Sequence, residues 1–315
     1  MRDLIIGTLQ GYRHMPTVDI TGILPYVASM QKSGIAARRV MFVNRVPRDV
    51  ISFLKQNGFE VIKYRSYTGR ASRILRQALD RTCSRIPDFS GWHYALKKYF
   101  WHCQASRYLL YRDYLANQSD ICQVVISDVR DVIFQRDPFG TDSDKQSAHD
   151  QFLTSEEHQC HSIGDHAGNR NLILTLFGSE RLDELSNLPI ICSGVSMGSR
   201  NKMIEYLNVM TGRLLHSYEP VGYDQGVHID VIYKKVVGGV KIFRFGEGPI
   251  IHLAIAPRDE IKTNAEGEVL DRLGEVVPIV HQYDRHKDLT QQIFKRFSNC
   301  NLTSKHQFKT QNDQT

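Results

Sequence analysis

Three short apolar runs, Leu4 to Thr8, Arg39 to Asn44 and Glu60 to Tyr64, alternate with two stretches of helical periodicity, Leu24 to Lys32 and Val50 to Asn57. This alternation constrains the fold more than any other feature. Strands separated by helices of that length pair in parallel, and a parallel sheet is flanked by helices. Gly34 and Gly58 mark the two helix ends. A longer helical stretch, about Tyr94 to Ala116, leads into a further apolar run at Val124-Val125-Ile126, and its many aromatics read as core packing. The predicted class is α/β, with a mostly parallel central sheet and helices packed on it.

Hydrophobic residues make up 41% of the 315, enough for an ordinary core. The net charge of +6 is dispersed without a long basic run. It favours anionic ligands, leaves peripheral contact with an anionic membrane surface open, and does not point to nucleic acid. Six widely separated cysteines form no CxxC pair and read as reduced structural thiols. The start Met1-Arg-Asp-Leu-Ile-Ile lacks the apolar stretch of a signal peptide, and no segment is long and apolar enough to span a bilayer. A cytoplasmic protein is therefore expected.

Chemistry enters where the run Val124 to Ile126 breaks into Asp128-Val-Arg-Asp131. Two carboxylates at the carboxyl end of a buried strand lie where open α/β sheets place ligands. They suit a hard divalent cation, Mg2+ or Mn2+, shared with the oxygens of a substrate phosphate. The alternative is an Asp128 that caps a turn and an Asp131 that is a solvated loop acid. Between 141 and 168 the chain turns polar and carries His149, His158, His161 and His166. It reads as a long loop or active-site lid with solvated histidines. Later come Cys192-Ser193-Gly194 after an apolar run, and a helix opening at Tyr223-Asp224-Gln225-Gly226. An apolar run follows at Pro278-Ile-Val280, ending in His281-Gln-Tyr-Asp-Arg285-His286. The predicted domain spans 1–298, followed by a polar tail, 299–315, too poor in apolar residues to order itself.

In their order along the chain these motifs resemble the nucleotide-diphospho-sugar transferases of the GT-A type, which carry one Rossmann-like domain and a divalent metal. The likeness runs from Gly7-Thr-Leu-Gln-Gly-Tyr12 through the acidic strand end to His281-Gln-Tyr-Asp-Arg285-His286. It is narrower still to a bacterial-type branch, in which Ser-Asp-x-Arg-Asp, then Asp-Pro-Phe, and a late His-Gln-Tyr-Asp-Arg-His recur together. The resemblance implies that an acidic motif at the strand end holds the metal and touches the ribose. Here one extra residue separates the acids; counting back from Asp137-Pro-Phe139 makes Asp131 the metal acid and leaves Asp128 to the ribose or to a metal-bound water.

The same resemblance implies a further metal ligand near the C-terminal end of the core, His281, with His252 as rival and a structural histidine as alternative. Gly7, Thr8 and Tyr12 fall in the region that cradles the nucleotide. Arg107 contacts the donor phosphates or holds Asp128, or is an ordinary helix-surface arginine. Arg285 and His286 neutralise the diphosphate with help from Lys287, or form surface salt bridges. Ser193, Gly194 and Gln225 face the acceptor, or Cys192-Ser-Gly194 is a tight turn. Asp224 is either the N-cap of its helix or, in an inverting enzyme, the general base. The implied activity is transfer of a sugar from a UDP- or GDP-sugar donor to a hydroxyl of a carbohydrate or glycan-precursor acceptor. Two alternatives are a sugar-1-phosphate nucleotidyltransferase and a non-catalytic carbohydrate- or nucleotide-binding protein.

Overall fold

The computed structural model describes residues 2–11, 18–66, 103–140, 150–215 and 222–298. Its first part runs β1 (Arg2–Gln10), α1 (Ile20–Lys32), β2 (Arg38–Asn44), α2 (Arg48–Gln56) and β3 (Phe59–Lys63). Then follow α3 (Cys103–Ala116), β4 (Ile121–Ser127), β5 (Val132–Phe134), β6 (Phe152–Ser155), α4 (Ala167–Leu185) and β7 (Val195–Ser199). The last part comprises α5 (Arg200–Leu215), α6 (Tyr223–Tyr233), β8 (Val240–Phe243), β9 (Ile250–His252), β10 (Ile279–His281) and α7 (Lys287–Ser298).

Seven strands form the main sheet in the order β3-β2-β1-β4-β7-β6-β8. Pairing is parallel except where β7 runs against both β4 and β6. The expected class, α/β with a mostly parallel central sheet flanked by helices, is the one observed. Period-two alternation divides the central strands between two cores. Ile5, Met41, Val43 and Val125 point to one face, where α1, α2 and α7 pack. Leu4, Ile6, Val40, Phe42, Val124 and Ile126 point to the other, under α3, α5 and α6. Each covering helix presents an apolar stripe; in α7 it is Leu289, Ile293 and Phe297, four residues apart. Helix α1 starts earlier than its periodicity suggests, because the Asp19 side chain caps it by accepting from Gly22 N at 2.7 Å.

A second, three-stranded sheet has the order β5-β10-β9. In it His281 lies opposite Val132 of antiparallel β5 and His252 of parallel β9. This register sets β10 beside the loop that follows β4.

The segment expected to be a lid differs in its middle. Phe152–Ser155 forms β6 inside the main sheet, paired with β7 and β8, with Phe152, Thr154 and Ser155 buried. The segment then continues to α4, whose N-cap is His166, its side chain accepting from Asn169 N. Residues 141–149, the expected tail 299–315, Tyr12 and the first part of the helix expected from Tyr94 lie outside the described residues. No helix among the described residues is long and apolar enough to cross a membrane.

On the far side of the second core, the fully buried carboxylate of Asp230 in α6 ties three helices together. It accepts from Arg181 Nε of α4 at 2.7 Å and Arg213 Nη1 of α5 at 2.6 Å, and Lys234 Nζ lies 3.3 Å away. Removing the charge would leave Arg181, 14% exposed, with only the exposed Glu184 as partner, while Arg213 and Lys234 are partly exposed, and the loss of such a charged hydrogen-bond partner costs about 1–3 kcal/mol. Asp230→Asn is therefore expected to lower the urea midpoint by that equivalent with an unchanged m-value. An unchanged midpoint would show that the arginines relax to solvent.

Candidate active site

The first carboxylate is placed by backbone alone. β4 ends at Ser127, opposite Gly7 of β1 and Val195 of β7, so Asp128 emerges at the carboxyl end of a central strand. Its N–H donates to Gly194 O at 2.7 Å. A Cβ on Gly7 would meet Val129 Cγ2 at 2.9 Å, so the loop after β4 can fold over β1 only because that position lacks a side chain. Asp131 follows three residues later, and its carbonyl accepts from Gln282 N at 2.7 Å. Gln282 holds a left-handed backbone (φ 62°) immediately after His281. That turn ends β10 and fixes the imidazole against the acids.

His281 is 1% exposed, and its Nε2 lies 3.5 Å from Asp128 Oδ2 and 3.6 Å from Asp131 Oδ2. This nitrogen is buried and has no hydrogen-bond partner among the described residues. A Cβ on Gly194 would sit 2.1 Å from His281 Cε1 and 3.0 Å from Asp128 Oδ2, so any side chain there would fill the space between imidazole and carboxylate. Two carboxylate oxygens and an imidazole nitrogen thus converge as three ligand atoms within 4.8 Å of one another. The set fits a divalent cation of the Mn2+ or Mg2+ kind, with room for ligand oxygens on the open side, where Asp128 keeps 36% of its side-chain exposure.

Behind the acids, Arg107 of α3 donates from Nη1 to Asp128 Oδ1 and from Nη2 to Asp224 Oδ2, the latter at 2.7 Å. One guanidinium therefore links two carboxylates that are far apart in the chain. Burial alone would raise the Asp128 carboxyl, yet Arg107 and His281 outweigh it and hold the group well below the usual carboxylate range. No arginine among the described residues contacts Asp131, and burial raises it, with His281 opposing. Burial would lower His281, but Asp131, Cys192 and Asp128 push it well above the ordinary imidazole value. Asp224 is raised by burial against the pull of Arg107.

Asp224 is not the N-cap of its helix. That position belongs to Gly222, whose φ of 92° only glycine adopts readily, and Asp224 is the second residue of α6, 4% exposed. Gln225, expected at the acceptor, spends its amide on the chain itself. Its Oε1 accepts from Ser193 N at 2.8 Å, and its Nε2 donates to Ile191 O at 2.8 Å and to Asn169 Oδ1 at 3.4 Å. Gln225 thus fixes the 191–193 segment that delivers Gly194. Thr8 Oγ1 donates to Tyr111 OH at 2.8 Å, beneath the strand ends.

Arg285 is 54% exposed and 3.4 Å from Asp284, and its charge acts on Asp131. His286 pairs through Nε2 with Leu253 O at 2.9 Å and makes no hydrogen bond with either acid, so it braces β9. His252, the sequence rival for metal ligand, lies behind His281 with Nδ1 2.9 Å from His281 Nδ1. Two further groups escaped the sequence reading. Cys192 Sγ is 3.7 Å from His281 Nδ1, and the buried Glu157 hydrogen-bonds Cys192. Only the long-range register of the small sheet and of the β4–β7 pair brings them together, and no local spacing announces them.

No family model matches the chain, and no curated protein does. Among solved structures it is similar to the galactosyltransferase LgtC in complex with donor and acceptor sugar analogs, at 14% identity over 94% of each chain and a TM-score of 0.46. It is also similar to mouse xyloside xylosyltransferase 1, at 10% identity over 89% of this chain and 96% of that one, TM-score 0.46. A third is core-mannan synthase A from Aspergillus fumigatus in its Mn/GDP form, at 8% identity over 77% and 73%, TM-score 0.42.

Proposed function

We propose that this chain is a metal-assisted glycosyltransferase of the GT-A type, moving a sugar from a UDP- or GDP-sugar to a hydroxyl of a glycan or glycan precursor. The observation that carries the reading is the convergence of Asp128, Asp131 and the unpartnered Nε2 of His281 at the carboxyl end of the central strands, joined through Arg107 to Asp224. Asp131, His281 and Asp128 would hold Mn2+ or Mg2+. When bound, the cation supplies charge stabilisation for the departing diphosphate.

The remaining roles fall to side chains around that centre. Arg285, exposed and within electrostatic reach of Asp131, would meet phosphate oxygens, with help from Lys287. Gly7, Thr8 and Tyr12 are assigned to the nucleotide, and Ser193 and Gly194 to the sugars. During transfer the acceptor oxygen bonds to the anomeric carbon as the bond from that carbon to the diphosphate oxygen breaks. In an inverting transfer the proton leaving the acceptor goes to Asp224, a carboxylate that burial makes more basic.

Calorimetric titration of UDP and of GDP, each with Mn2+ and with EDTA, tests this. One nucleotide should bind with Mn2+ and lose most of its affinity in EDTA. Equal affinity in both conditions would overturn the metal-assisted reading. Slow Mn2+-dependent hydrolysis of the matching nucleotide sugar separates an enzyme from a binding protein of the same fold. Formation of nucleotide sugar from a nucleoside triphosphate and a sugar 1-phosphate would indicate a nucleotidyltransferase instead.

A further inference from the structure

His252 and His281 meet through the same ring nitrogen. Their Nδ1 atoms are 2.9 Å apart, both rings are buried, and their planes are nearly perpendicular at 82°. The contact is set by the backbone: His281 lies opposite His252 in the β9–β10 register, and Leu253 N donates to His281 O at 3.0 Å. Two nitrogens at that distance must share one proton, since two bare lone pairs or two N–H groups would repel. The state of one ring therefore fixes the state of the other.

If His252 carried the shared proton, Nδ1 of His281 would be the acceptor, and a neutral His281 would then bear its hydrogen on Nε2, which could not ligate a cation. If His281 carries it, Nε2 is the nitrogen that gives up its proton to an incoming cation and presents its lone pair between Asp128 and Asp131. A second observation favours this arrangement. Cys192 Sγ, 3.7 Å from His281 Nδ1, is a further acceptor for an Nδ1–H. His252 is then left with its hydrogen on Nε2, an atom that is buried and has no partner among the described residues.

We infer that His252 is a positioning residue for the metal site, accepting the Nδ1–H of His281 and so holding the Nε2 lone pair ready for a divalent cation. The inference rests on the metal reading above. Ligating histidines are commonly oriented by such a partner, and loss of the partner typically lowers metal affinity by about 10–100-fold.

The test compares wild type, His252→Leu and His252→Asn for Mn2+ binding by electron paramagnetic resonance, with ring 15N spectra of the wild type and thermal melts of all three. Leucine removes the acceptor, whereas the asparagine Oδ1 can take the place of Nδ1. The expected result is a loss of about 10–100-fold in Mn2+ affinity for His252→Leu, with affinity near wild type for His252→Asn. In the wild type, 15N spectra should show His252 neutral with its hydrogen on Nε2. That spectroscopic signature needs no variant and would not follow from a purely structural contact. A His252 protonated at Nδ1, or undiminished Mn2+ binding by a folded His252→Leu, would overturn the inference while leaving the metal site standing. Failure of the wild type to bind Mn2+ at all would overturn the metal reading and this inference with it.

Discussion

Asp131→Asn is expected to weaken Mn2+-dependent nucleotide binding by roughly 100-fold or more, beyond the effect of losing a ligand's supporting partner, and by more than Asp128→Asn does. The two acids are equally close to His281 Nε2, at 3.6 and 3.5 Å, but they are not equally free. Asp128 gives one oxygen to Arg107, whose positive charge already compensates part of its own. No arginine among the described residues contacts Asp131, so it is less committed to a guanidinium than Asp128 is and more available to a cation. Replacing it with a neutral amide removes a hard anionic ligand from a site that has few to spare. In Asp128→Asn, by contrast, the amide oxygen can still face the cation and Arg107 keeps Asp224. Titration of UDP with Mn2+ into each variant distinguishes them. Equal losses, or a greater loss for Asp128→Asn, would reverse the assignment of the direct ligand.

The fold was legible because its central strands advertise themselves locally. Residues such as Leu4, Ile5 and Ile6 are buried on both faces of the sheet, so β1, β2 and β4 read as continuous apolar runs. β6 gives no such signal. Four residues between polar neighbours, it becomes a strand only because β7 and β8 flank it, and pairing across that distance leaves no periodic trace. The site divides along the same line. Asp128 and Asp131 stood out because a strand end and a pair of acids are features of one short stretch. The joining of Arg107 to Asp224 across 117 residues is visible only once α3 and α6 pack on the same face of the sheet. Asp224 illustrates the cost of reading locally. An acid near a helix start suggests a cap, but Gly222 takes the left-handed cap position and turns the carboxylate inward. In the sequence His252 and His281 are rivals for one role, whereas their register in the small sheet makes them partners.

Asp224→Asn is expected to reduce transfer by roughly 100-fold or more while leaving Mn2+-dependent nucleotide binding close to wild type, the scale of losing a general base. Asparagine has nearly the same shape and can still accept one hydrogen bond from Arg107, but it cannot take the acceptor's proton. Arg107 also retains Asp128, so its guanidinium is not left buried without an anion. The competing possibility is that Asp224 matters only by aiming Arg107. In that case its removal would let Arg107 shift, disturb Asp128 Oδ1 and weaken nucleotide binding together with transfer. The two roles therefore separate in the ratio of the effects. A large fall in turnover with unchanged Mn2+-dependent binding assigns Asp224 to the proton, and parallel losses in both assign it to the geometry of Arg107. Turnover near wild type would remove Asp224 from the chemistry and leave a retaining transfer, or another base, to account for the reaction.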